Sequence, residues 1–84
     1  MQTTVTGTIP IAAHRTNSNG QSFAEALLTN SDGALSVLFF PKIYGKRHQL
    51  ITKAEGTTKR ITITGRLDQD ESRTVLFAHD AREA

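Results

Sequence analysis

Apolar or β-branched residues alternate with polar ones along most of the chain, and the alternation gives way once, after Pro41. Between residues 3 and 15, Val5, Gly7 and Ile9 share one parity and Thr4, Thr6 and Thr8 the other. A period of two predicts a half-buried strand. Gly7 weakens such a strand unless it marks a bend or a close backbone approach. Pro10, with no N–H to donate, belongs at an edge or a bulge. A second strand is predicted over 22–29, with Ala24, Ala26 and Leu28 on one face and Phe23, Glu25 and Leu27 on the other. A third follows over 35–40 with Leu35, Val37 and Phe39 inward. The segments TNSNGQ (16–21) and NSDG (30–33) have turn composition.

Pro41 changes the period. Its fixed φ and missing N–H suit the first turn of a helix and cannot extend a ladder. Ile43, Tyr44, Leu50 and Ile51 then recur at helical spacing to about Ala54, across Gly45, which costs roughly 1 kcal/mol against alanine. After a loop containing Gly56, Ile61, Ile63, Gly65 and Leu67 alternate with Arg60, Thr62, Thr64 and Arg66 over 59–68. A polar turn (68–72) leads to a last strand over 73–79, and the tail DAREA is expected to fray. The order is β-β-β-α-β-β. It predicts an all-β fold: a five-stranded OB-fold Greek-key barrel with one helix between strands 3 and 4. A five-stranded SH3-like barrel, which lacks a full helix in that slot, is the alternative. One domain over 1–84 is expected, with its core within 3–80.

Composition narrows the function classes. The 84 residues contain no cysteine, which excludes a disulfide framework and a thiolate metal site. No apolar run nears the roughly 20 residues that cross a bilayer, and no signal pattern opens the chain, so a cytoplasmic protein without membrane contact is expected. The net charge of +2 is a mild bias that by itself suits a solvated surface. Its distribution says more: Arg15, Lys42, Lys46, Arg47, Lys53, Lys59, Arg60 and Arg66 precede a turn holding Asp68, Asp70 and Glu71. Enzyme chemistry finds no footing. His14, His48 and His79 lack metal-ligand spacing, Asp70 and Glu71 are adjacent in a turn, and Ser22 and Ser36 have no positioned base. No catalytic residue, metal or cofactor is expected.

Several segments together carry a family resemblance: Val5-Thr6-Gly7-Thr8-Ile9, Arg15, Asn19-Gly20-Gln21, Asp32-Gly33-Ala34-Leu35, Val37-Leu38-Phe39-Phe40-Pro41-Lys42-Ile43-Tyr44 and Ile61-Thr62-Ile63-Thr64-Gly65-Arg66-Leu67. Over 5–80 the chain resembles nucleic-acid-binding OB domains of the anticodon-binding type, in particular the version near the C-terminal end of bacterial DNA polymerase III alpha subunits. That family likewise runs an apolar strand into Phe-Pro, opens its helix with Val/Ile-Tyr, and has a Gly-Arg-Val-like fourth strand. The chain departs from it at Glu25, where the family has an aromatic or large apolar residue, and at Asn30, where it has an acid. Phe23, of the same parity as Glu25, is expected to take over the stacking platform.

The resemblance implies binding of single-stranded DNA or RNA across strands 2 and 3, bordered by the loops joining strands 1–2 and 4–5. Such binding requires aromatic faces for bases and cations along a backbone path. The candidates are Arg15 at the rim of the first loop, Phe23, Ser36 and Phe40 on strands 2 and 3, Arg60 and Arg66 on strand 4, and Arg73 beside the 4–5 loop. Each has a structural alternative. Phe40 beside Pro41 suits the core or a helix staple, and Arg66 has Asp68 and Glu25 as pairing partners. Lys42, Lys46 and Arg47 suit the solvated side of a helix plugging the end away from the groove. Phe39 and Phe77 are expected in the core, and Tyr44 as a helix-to-barrel contact. Glu25 and the acidic 4–5 turn motivate a second expectation, a module docking DNA polymerase or other replisome subunits. In isolation a monomer is expected.

Overall fold

One long strand holds the molecule together. In the computed structural model, which describes residues 2–84, β1 (Gln2–Thr16) pairs antiparallel with two other strands. Its first half pairs with β4 (Arg60–Gln69) and its second half with β2 (Ser22–Asn30). Next come β3 (Gly33–Phe39), α1 (Pro41–Ala54) before β4, and β5 (Thr74–Glu83). The strands close in the order β1-β2-β3-β5-β4, and the β3–β5 seam is parallel over three residue pairs. This is the expected five-stranded barrel with one helix between strands 3 and 4.

The switch of β1 from one neighbour to the other is written in its sequence. Between Thr8 and Ile11 the register slips by one residue, at Pro10, so the residue that cannot donate sits in the bulge. Parity therefore inverts: Ile9 is buried, Ile11 faces solvent and Ala12 faces in again. Just before the bulge, a Cβ at Gly7 would collide with the carbonyl oxygen of Thr29, so the glycine permits a close backbone approach.

Inside, Ile9, Leu28, Val37, Phe39, Ile61, Ile63 and Leu76 are fully buried, and α1 adds Ile43, Ile51 and Ala54. Full burial of a side chain such as Ile51 contributes about 1.5–3 kcal/mol. The helix starts where the sequence reading puts it: Phe40 is extended (φ −66°, ψ 163°) and Pro41 occupies the first turn. It stops at Glu55, after which Gly56 (φ 72°) donates its N–H to the Ile9 carbonyl at 2.7 Å. A histidine ties the helix to β1 at both of its ends. His14 Nδ1 lies 2.9 Å from the Tyr44 hydroxyl and Nε2 lies 2.8 Å from Glu55 Oε1.

The C-terminal tail corrects one expectation. It does not fray: β5 runs to Glu83, with Ile63 opposite Ala81 and Ile61 opposite Glu83. The physical reason is a register shift. β5 carries one extra residue, His79, between Ala78 and Asp80, so Ala78 and Ala81 both turn inward and are buried. No helix among the described residues is long and apolar enough to cross a membrane.

Candidate nucleic-acid interface

Phe39 and Phe40 are sequence neighbours that face opposite ways. Phe39 is fully buried, whereas Phe40, the N-cap of α1, is 49% exposed. Phe40 stacks on Phe77, with ring centroids 5.6 Å apart and planes 8° from parallel. Phe77 lies between Leu76 and Ala78, which both turn inward, so its own side chain points out of the barrel. Across the β4–β5 ladder its partner is Arg66, whose Cζ lies 5.3 Å from the Phe77 centroid. Phe40, Phe77 and Arg66 thus assemble as one aromatic–cationic cluster. Aromatic pairing contributes about 0.5–1.5 kcal/mol and an exposed cation–π contact about 0.5–1 kcal/mol.

Two expectations are corrected here. Phe77 is half-buried on the outer face and not in the core. Arg66 has neither Asp68 nor Glu25 as an ion-pair partner. The ion pairs among the described residues are Arg47–Asp80 and Lys59–Glu83, and the His14–Glu55 hydrogen bond is an ion pair only when the imidazole is protonated. Beneath the cluster, a Cβ at Gly65 would collide with the Phe77 carbonyl oxygen, so a glycine is what lets β4 lie close to β5 at the bulge.

Along one row of the outer face, Ala13, Glu25, Leu38, Phe77 and Arg66 follow one another across β1, β2, β3, β5 and β4. Phe23 is half-buried on the same face, opposite Arg15 of β1. It is one residue from Ala24, whose partner is Phe39, and so lies level with Phe40. Ser36 is opposite Leu27 and lines a shallow hollow of about 220 Å³ with Ile11, Ala13, Glu25 and Leu27. Apart from Glu25 and Ser36 that hollow is apolar.

The remaining candidates lie elsewhere. Arg60 is opposite Thr8, beside Gly7, Thr29 and Asn30; six residues of β4 place it about 20 Å from Arg66. Arg73 is exposed in the 4–5 turn, which Asp70 closes on itself. Asp70 Oδ1 accepts the N–H of Ser72 at 2.8 Å and the N–H of Arg73 and hydroxyl of Ser72 at 2.9 Å. These bonds, the Arg73 N–H foremost, hold its carboxyl below the ordinary aspartate range. The structure therefore brings Phe40 and Arg66 together, sets Phe23 and Arg15 side by side, and adds Phe77.

A five-stranded barrel with its helix between the third and fourth strands is the architecture of an OB-fold, here carrying an aromatic–cationic cluster on its outer face. No protein-family model matches the chain. It is similar to the DNA polymerase III subunit alpha of Saccharopolyspora erythraea, 31% identical over 80 residues. That stretch is 95% of this chain but 6% of the polymerase subunit, so the chain spans a small part of its relative.

Proposed function

We propose that this chain binds single-stranded nucleic acid, DNA in the first instance, as an OB module of a replicative polymerase system. The observation that carries the reading is the Phe40–Phe77–Arg66 cluster, with Phe40 half open to solvent. A base stacks on the exposed Phe40 ring, and the guanidinium edge of Arg66 offers donors to phosphate. Phe23 with Arg15 supplies a second, less exposed platform on the neighbouring strand. The sequence similarity to a polymerase alpha subunit supports the same reading. Stacking contributes about 1–3 kcal/mol per base, so two platforms and a few phosphate contacts give micromolar to millimolar affinity. The module acts as a binder rather than an enzyme, as a monomer, and in the cytoplasm.

Fluorescence anisotropy of labelled oligo-dT and oligo-U tests it. Saturable binding at low salt that weakens steeply as salt is added is the expected result. An unchanged signal at high protein concentration refutes it, and the two oligonucleotides separate DNA from RNA preference. A second reading, docking of another replication protein, is favoured by Ile11, 62% exposed next to the apolar hollow, and by Glu25, which has no ion pair among the described residues. Phe23→Ala and Arg66→Ala discriminate: only the first reading has them weaken oligonucleotide binding with the fold intact.

A further inference from the structure

Beside the cluster, α1 and β5 leave a hollow of about 340 Å³ lined by Phe40, Lys42, Ile43, Lys46, Ala78 and His79. We propose that this seam is a phosphate-binding track, and that a single strand stacked at Phe40 runs on along α1 instead of staying on the faces of β2 and β3. The inference rests on the proposed nucleic-acid binding and adds a site to it.

Three features converge on the hollow. Lys42 and Lys46 are exposed and four residues apart, so they are neighbours on one helix face. His79 is the extra residue of the β5 bulge, and it lines the hollow from the opposite side. No carboxylate lines the hollow. The nearest acid in sequence, Asp80, accepts from Arg47 Nε at 2.8 Å and from the Ala81 N–H at 2.9 Å. The helix adds to the field: its first turn holds no acid and Phe40 gives no side-chain cap, so the positive end of its dipole is not offset locally.

The track continues past the hollow. A second depression of about 360 Å³ shares Lys46 and is also lined by Arg47, Lys53 and Arg82. Its one acid, Glu83, is paired with Lys59. Lys42, Lys46, Lys53 and Arg82 have no ion pair among the described residues. From Lys42 to Lys53 the helix rises about 16 Å. Because Phe40 belongs to both the cluster and the hollow, a base position and a phosphate position lie side by side, which an acidic peptide would not require.

The test is a salt titration of an oligo-dT of about 12 nucleotides against the wild-type chain and Lys42→Gln/Lys46→Gln. If each lysine engages one phosphate, the double variant binds about tenfold more weakly at low salt, and its slope of log K against log salt is shallower by about 1.4. Lys42→Arg/Lys46→Arg restores both. Amide chemical shifts of the wild-type chain move at Lys42, Lys46 and His79 on titration, a readout independent of the variants' folding. Wild-type binding with an unchanged slope and unmoved amides overturns the track and leaves the proposed function standing; absence of wild-type binding overturns both.

Discussion

Phe40 is exposed because its neighbour Phe39 is not, and the two give different experiments. Phe40→Ala removes a half-exposed ring and its stacking on Phe77, so it costs about 1–3 kcal/mol of stability, and it weakens oligonucleotide binding by about 1–3 kcal/mol. Parallel denaturation and anisotropy titrations separate the two effects; a large stability loss without a binding change would make Phe40 a packing residue only. Gly65→Ala acts from below the cluster. Its new Cβ meets the Phe77 carbonyl, and overpacking of this kind costs about 1–3 kcal/mol, visible as a lower denaturant midpoint. At this scale the sequence was legible where polar and apolar residues contrast. Parity put Phe39 inside and Phe23 outside. It failed at Phe77 because the run Thr74-Val75-Leu76-Phe77-Ala78 is apolar on both parities after its first residue. Burial of Leu76 and Ala78, not hydrophobicity, decides which way that ring points. A search for opposite charges likewise missed that Arg66 has a ring, not a carboxylate, as its partner.

Between elements, the helix and the last strand are joined by polar contacts as well as by the core. The hydrogen bond from Arg47 holds the Asp80 carboxyl below the ordinary aspartate range, with the Ala81 N–H adding to it. Its folded pKa is thus lower than its unfolded one. The stabilisation is therefore fully present above about pH 4 and lost as pH falls through the depressed value. The pair is exposed, so the effect is small. Asp80→Asn should flatten the acid limb of the stability–pH curve, and curves that stay parallel on acidification would show that the pair contributes nothing. The tail gives a larger effect: ending the chain after His79 removes buried Ala81 and four β4–β5 pairs, and thermal melting should shift down by many degrees. The helix limits were readable because Pro41 marks its first turn. The end of β5 was not, since Asp80-Ala81-Arg82-Glu83 looks polar until the bulge at His79 turns its one small apolar residue inward.

For the whole molecule, charge placement matters more than charge total. A net +2 suggests indifference to polyanions. Yet Arg47–Asp80 and Lys59–Glu83 engage the acids along the α1–β5 seam and leave several cations there unpaired among the described residues. The affinity for oligo-dT should accordingly fall several-fold between 50 and 200 mM salt despite the near-neutral sum; a flat response would favour protein docking instead. The order of strands and helix was enough to infer the barrel. It did not reveal that Phe40 and the lysines that follow it in the helix lie beside Phe77, Arg66 and His79, because that juxtaposition is made by the parallel β3–β5 seam and by a bulge that no local pattern announces.

Every strand of the ring has a neighbour on both sides, β1 by dividing its length between two. Each half of β1 has a single neighbour and the β3–β5 seam spans three pairs, so among the described residues free amides and carbonyls lie in short separate stretches and form no continuous rim for an incoming chain to zip onto. The proposed recognition then falls mainly to side chains projecting from the wall, and substitutions at Phe23, Phe40, Arg66 and Phe77 should change what it binds while the strand order behind them is kept.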